Sequence, residues 1–118
     1  MGVDYFASFC YGFVLIDSGI NLSDDYDERE ELIEELCKKF NVTYHRVGNC
    51  YSGETDYVID FGVFSGYHDL YYGVQEISAP PDDIPARIVK AWHKAQEIAK
   101  HYGIDKIEPK WLMAGYIS

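Results

Sequence analysis

The residues that could perform nucleophilic chemistry in this chain are its three cysteines and four histidines. A thiol next to a histidine base is a recognised catalytic arrangement, and the candidate pairs combine Cys10 or Cys50 with His45 or His68. No sequence spacing brings either pair together, and a buried free cysteine usually behaves as a small apolar side chain. The sequence therefore predicts no catalytic residues, although an enzyme of unrecognised type remains an alternative.

Histidine and carboxylate side chains also raise the question of a metal site. His68 and Asp69, with Asp56 or Asp60, offer suitable donors, but no HExxH run or zinc spacing accompanies them. Two further histidines, at 93 and 101, lie two helical turns apart, too far to share one ion. Because phosphate-binding and GxSxG motifs are missing as well, we expect neither metal nor cofactor.

The segment SDDYDEREELIEELCKKF, residues 23–40, is the most acidic part of the chain. Its apolar residues recur at the spacing of one helical face: Ile33, Leu36, Cys37 and Phe40. Acidic side chains crowd its first turns and two lysines occupy its last, which complements the helix dipole. The pattern predicts an amphipathic helix that is capped by Ser23, Asp24 or Asp25 and ends near Phe40–Asn41.

The outer side of this helix carries more acid than helix stability requires. Like charges four residues apart cost a few tenths of a kcal/mol each, and several such pairs occur here. Either the surface is simply solvated, or it faces a basic flank on the second predicted helix, or it binds a basic partner. For the last case the predicted contact residues are Asp27, Glu30, Glu31 and Glu34.

The remaining patterns predict a sheet and one more helix. DYFASFCYGFVLID (4–17) is apolar on both parities, which is typical of a central strand buried on both sides. A helix is expected from Ile84 to Gly103, with Pro85 in its first turn. Further strands are predicted at 42–51, 56–64 and 109–117, with a turn at 52–55 and a turn or bulge at 65–69. Residues 70–77 are either a further short strand or the continuation of the previous one past a bend.

This order, strand, helix, two or three strands, helix, strand, resembles the split βαβ plan of ferredoxin-like α+β proteins. The resemblance implies one domain over residues 1–118, with an antiparallel sheet of four to five strands and both helices on one face. Eleven tyrosines must be placed in such a fold. Either these rings pack on one another or under the 65–77 segment, or some of them form an aromatic contact surface for a partner or a homodimer, with Tyr57, Tyr71 and Tyr72 as candidates.

Composition narrows the function classes. A net charge of −10 argues against direct binding to nucleic acid, and no RNP-like segment supports an RNA-stacking sheet. An odd number of cysteines without metal spacing favours a reducing, cytoplasmic location. The apolar N-terminal run lacks a basic flank and is too short to span a bilayer, so no membrane association is expected.

Small size, acidity, aromatic richness and missing catalytic motifs together resemble the accessory proteins of tailed phages, including anti-defence proteins such as anti-CRISPRs and DNA mimics. This resemblance implies an inhibitor or adaptor, working in the host cytoplasm, that occludes a nucleic-acid-handling enzyme. The alternative is a homo-oligomeric module that binds a ligand or regulates a protein through the aromatic sheet face.

Overall fold

The computed structural model describes residues 5–49, 54–64, 66–69 and 81–117. These form an α+β fold in the order β1 (Tyr5–Val14), α1 (Tyr26–Phe40), β2 (Thr43–Asn49), β3 (Glu54–Asp60), β4 (Gly66–Asp69), α2 (Ile84–His101) and β5 (Lys110–Ile117). The predicted α+β class is confirmed, with two helices among the described residues. The strand predicted at 70–77 lies outside the described residues.

Strand β1 is buried on both faces, as its double apolar pattern predicts. Cys10 points to one face and Tyr11 and Phe13 to the other, and all three are buried. The strand ends at Val14, three residues before the predicted boundary, because the chain turns there. Leu15 still donates its amide to the Tyr57 carbonyl at 2.9 Å, whereas Ile16 is exposed.

The sheet closes on itself. Strand β1 pairs antiparallel with β5 on one edge and with β3 and β4 on the other, and β3 pairs antiparallel with β2. Strands β2 and β5 then meet in a short parallel pairing, Gly48 with Tyr116 and Asn49 with Ile117. The expected open two-layer sandwich is therefore not confirmed, because its two outer strands are paired with each other. This pairing satisfies edge groups that an open sheet would leave bare.

The pairing along one edge of β1 is interrupted between β3 and β4. Gly12 lies opposite Asp60, and Phe9 lies opposite Gly66. Between these two pairs β1 has two residues, whereas the chain from β3 to β4 has five, and Gly62 among them adopts a positive φ of 72°. Such extra residues bend a strand and let its pairing resume beyond the bend. The prediction of a turn or bulge over 65–69 is wrong for Gly66–Asp69, which forms strand β4 and pairs with β1.

Both helices have ends that the sequence specifies. Asp25 caps α1, and its Oδ1 accepts the amide protons of Asp27 and Glu28 at 2.9 and 3.3 Å. Asn41 ends the helix in the left-handed conformation, φ 54°, which asparagine tolerates better than most residues. Helix α2 has Pro85 in its first turn, where a missing N–H costs nothing.

Two of the three cores among the described residues lie on opposite faces of the sheet, and the third, formed by Tyr11, Val63 and Ala91, packs α2 against β1. The larger one joins both helices to the sheet and contains Phe13, Leu15, Ile33, Leu36, Tyr57, Ile59, Ala95 and Ile98. The smaller one lies on the opposite face, inside the ring of strands, and contains Cys10, Val58 and Ala114 with Val14, Val47 and Leu112 packed against them. Small and medium side chains fill this interior because a ring of only four strands is narrow.

Candidate functional site

The outer surface of α1 carries a line of carboxylates. Asp27, Glu31 and Glu34 are all exposed and follow one another at helical spacings of four and three residues. We call these three residues the acidic stripe. The line lies on the side of the helix away from Ile33 and Leu36, which are buried in the larger core. The structure therefore places three of the predicted contact residues together on solvent-exposed surface.

The acidic stripe is not neutralised by α2. Among the described residues, the ion pairs join His45 to Asp60, Arg46 to Glu30, Arg87 to Asp83 and Lys106 to Glu108, and none of them includes the stripe. The polar contacts between the helical regions instead involve basic side chains near the C-terminal end of α1. Lys39 lies 3.4 Å from His101, and Lys94 donates to the Asn41 carbonyl at 3.4 Å.

Glu30 differs from the other predicted contact residues because it points toward the sheet. Its side chain is only 13% exposed. The Tyr57 hydroxyl donates to its Oε1 at 2.8 Å, the Tyr44 hydroxyl donates to its Oε2 at 3.2 Å, and Arg46 forms an ion pair at 3.2 Å. Glu30 therefore anchors α1 to β2 and β3, and it is not available to a partner in this arrangement.

The environment of Glu30 favours its charged form. Partial burial acts to raise the pKa of this carboxyl group. Hydrogen bonds from Tyr57 and Tyr26, the charge of Arg46 and the hydrogen bond from Tyr44 act in the opposite direction and lower the pKa below its ordinary value. A carboxyl group with a lowered pKa in the folded state stabilises the protein above its unfolded pKa, and this stabilisation is lost as the pH falls through the folded pKa.

We expect Glu30→Ala to lower the free energy of unfolding by about 2 kcal/mol, because the buried Tyr57 hydroxyl then lacks its acceptor. The exposed neighbour is the control, and Glu31→Ala should change stability by less than about 0.5 kcal/mol. Urea unfolding of Glu30→Gln should also show that the difference from the parent shrinks as the solution is acidified below the ordinary glutamate pKa. Equal losses in the two alanine variants would contradict the anchoring role.

The predicted aromatic contact residues are distributed differently from expectation. Tyr57 is 1% exposed and belongs to the larger core, whereas Tyr71 and Tyr72 lie outside the described residues. Among the sheet residues whose side chains the structure describes, the exposed large apolar ones are instead Trp111 and Met113 on β5, and Met113 is 68% exposed. Trp111 stacks on Phe9 at a centroid distance of 5.3 Å, so the two rings form one surface patch. Trp111 and Met113 lie two residues apart in the predicted strand 109–117, so the alternation of side chains along a strand could have identified them as sharing one face.

A second group of chemically capable residues lies at the ring interior. Cys10, His45 and Asp60 come from β1, β2 and β3, and their donor atoms all lie within 4.8 Å of one another. The register of the strands brings these three side chains together. Asp60 is opposite Gly12 on β1 and opposite Thr43 on β2, and Cys10 and His45 each lie two residues from those positions, on the same face. His45 Nε2 and Asp60 Oδ2 are 2.9 Å apart.

This group is poorly suited to nucleophilic catalysis. Burial, together with the charge of Asp60, raises the pKa of the Cys10 thiol to about 12. The reactive form of cysteine is the thiolate, so a fully buried neutral thiol is a weak nucleophile. Of the other proposed pairings, Cys50 lies outside the described residues, and His93 and His101 are separately exposed on α2.

Comparisons with protein-family models, with curated proteins and with solved structures found no match to this chain. Neither of the two described helices is long and apolar enough to cross a membrane.

Proposed function

We propose that this protein is a small acidic binding protein that occludes a basic surface on a macromolecular partner. The observation that supports this most is the acidic stripe, which is exposed and has no ion-pair partner among the described residues. The partner class is a nucleic-acid-handling enzyme, as the resemblance to phage anti-defence proteins implies. Such enzymes carry lysine and arginine surfaces that bind phosphates, and these surfaces attract carboxylates equally well.

The stripe is well placed for this role because its helix is firmly held. Asp25 caps the N-terminus, Glu30 links the helix to the sheet, and Ile33 and Leu36 pack into the larger core. A rigid array of charges loses little conformational entropy on binding. Complementary charge also accelerates encounter and selects the partner more than it adds affinity. The net charge of −10 extends the same attraction beyond the contact surface.

Binding assays with purified basic nucleases and other nucleic-acid-binding proteins test this function. We expect a complex with at least one of them whose dissociation constant rises steeply as salt increases, because screened charges attract each other less. Complex formation should also reduce the enzyme's activity on its nucleic acid substrate. A complex whose affinity does not change with salt, or no complex with any protein of this class, would contradict the proposal.

The fold itself is best explained as a closed variant of the ferredoxin-like plan. Helix α1 joins β1 to β2, and β3 lies between these two strands. Helix α2 joins the β3–β4 edge to β5, and β1 lies between them. Both units are split βαβ units, which supports this interpretation. The parallel contact between β2 and β5 is then the added feature.

The apolar patch on β5 supports a second candidate, a homo-oligomeric binding or regulatory module. Trp111 and Met113 expose apolar surface beside Phe9, and contiguous apolar patches often mark contact surfaces. Sedimentation velocity separates the two candidates. A concentration-dependent dimer that Met113→Lys abolishes would support this second function, whereas a monomer at all concentrations would remove it.

A further inference from the structure

The carboxylate of Asp60 is buried without a permanent positive charge beside it. Its side chain is 3% exposed, and its contacts are the His45 ring at Oδ2 and the Gly62 amide, which donates to Oδ1 at 2.8 Å. No lysine or arginine forms an ion pair with it in the described part of the chain. Burial of a carboxylate is costly unless a cation or several hydrogen bonds compensate for it. A bound cation would supply the missing charge.

The Cys10 thiol lies in the same place and supplies a donor of a different kind. Its sulfur, the His45 imidazole and the Asp60 carboxylate form a group whose donor atoms are all within 4.8 Å of each other. Zinc ligands lie about 2.0–2.3 Å from the metal, which places neighbouring ligands in a tetrahedral site roughly 3.5 Å apart. Shifts of about 1 Å or less in the side chains would bring the three donor atoms to that spacing. The distance between His45 Nε2 and Asp60 Oδ2, now 2.9 Å, would have to increase slightly.

The mixture of donors indicates which ions fit. Calcium and magnesium prefer sets of oxygen ligands, whereas zinc accepts thiolate, imidazole and carboxylate together. The Gly62 amide fixes the orientation of the Asp60 carboxylate, which is the usual role of groups behind a metal ligand. His45 is 29% exposed, while Cys10 and Asp60 are buried, so an ion can enter along the imidazole.

We propose that Cys10, His45 and Asp60 bind one divalent ion of the zinc class, with a fourth position open to water on the exposed side of His45. The three ligands belong to β1, β2 and β3, three of the four strands that close the ring. Metal binding would therefore tie the ring together, and an ion that binds only the folded state raises its stability.

Cobalt(II) is the probe, because a thiolate ligand gives it an intense charge-transfer absorption that carboxylate and imidazole ligands do not produce. The variant Cys37→Ser/Cys50→Ser leaves Cys10 as the only cysteine. We expect it to bind one cobalt ion per chain with the thiolate band, and zinc to displace the cobalt. Adding Cys10→Ser should abolish the band, and thermal unfolding with and without zinc should show stabilisation only where Cys10 is present.

His45→Gln keeps the test independent of a folding defect, since His45 is partly exposed and a glutamine amide can still donate a hydrogen bond to Asp60. This variant should retain the circular dichroism spectrum of the parent and lose at least tenfold in metal affinity. His93→Gln/His101→Gln is the matched control, and its affinity should equal that of the parent. Three results would overturn the proposal. The cobalt absorption band could persist in the variant that has no cysteine, or His45→Gln could bind metal as tightly as the parent. The parent could also fail to bind cobalt in a one-to-one ratio.

Discussion

Replacing Gly12 with alanine is expected to destabilise the fold by about 3 kcal/mol or more, because overpacking at a site that cannot relax is among the most costly core changes. Gly12 lies where β1 and β3 approach each other, opposite Asp60. A Cβ atom at this position would overlap the backbone carbonyl of Ile59. The obstacle is main chain, which cannot rotate away, so relief requires separating two strands of the ring.

Gly103→Ala provides the matched control. Gly103 has a φ of 70°, and apart from its two chain neighbours no residue has an atom within 4 Å of the place where a Cβ atom would lie. We expect only the cost of a left-handed alanine, about 1 kcal/mol. Urea unfolding of both variants measures the difference. If Gly12→Ala lowered the free energy of unfolding no more than Gly103→Ala, β1 and β3 would not approach each other as closely as described.

Reversing the acidic stripe should weaken partner binding by at least about a hundredfold. The variant Asp27→Lys/Glu31→Lys/Glu34→Lys places three positive charges where the proposed partner is also positive. Like charges brought together across an interface cost several kcal/mol, and about 1.4 kcal/mol corresponds to a tenfold change in affinity. Most of the remaining affinity should also become insensitive to salt. Isothermal titration calorimetry with the inhibited nuclease measures both effects.

The control for this variant changes the total charge equally at a different place. Asp82, Glu97 and Asp105 are exposed acids outside α1, so their replacement by lysine alters the net charge by the same six units. We expect this control variant to lose less than about tenfold in affinity for the partner, caused only by weaker long-range attraction. Circular dichroism should show intact helices in both variants. Equal losses would mean that overall charge, and not the acidic stripe, determines binding.

The sequence predicted secondary structure best where the residues of a single helix or strand determine it. Strand β1 was predictable because both of its parities are apolar, and α1 was predictable from its apolar spacing and its capping aspartate. Closure of the sheet was not predictable, because it depends on two pairs of residues at strand ends, Gly48 with Tyr116 and Asn49 with Ile117. Sheet twist brings those ends together, and no local pattern in either strand records it.

Glu30 illustrates a smaller failure of the same kind. It lies at the border between the apolar and the acidic sides of α1, so helical spacing alone could assign it to either. Glu30 points toward the sheet because it binds Tyr44, Arg46 and Tyr57, which lie on β2 and β3 and not on α1. A carboxylate bordering an apolar face, in a chain rich in tyrosine, was the available signal.

The group at Cys10, His45 and Asp60 shows why no spacing motif in the sequence indicates a metal site. Motifs such as HExxH place their ligands on one helix, so the spacing is local. Here the three residues lie on three strands and are widely separated in the chain. Only the register of β1, β2 and β3 brings them to one face. Cys10 and His45 were paired in the sequence only as one of several possible combinations of nucleophile and base, and no spacing linked either of them to Asp60.

Carboxyl footprinting tests the central claim most directly, since it reports which acids a partner covers. The free protein and its complex with an inhibited nuclease would be labelled with a carbodiimide and an amine, and each modified carboxylate quantified by mass spectrometry. We expect labelling of Asp27, Glu31 and Glu34 to fall in the complex, while Asp82, Glu97 and Asp105 label at unchanged rates. A complex in which the acidic stripe labels as fast as in the free protein would contradict the proposed function.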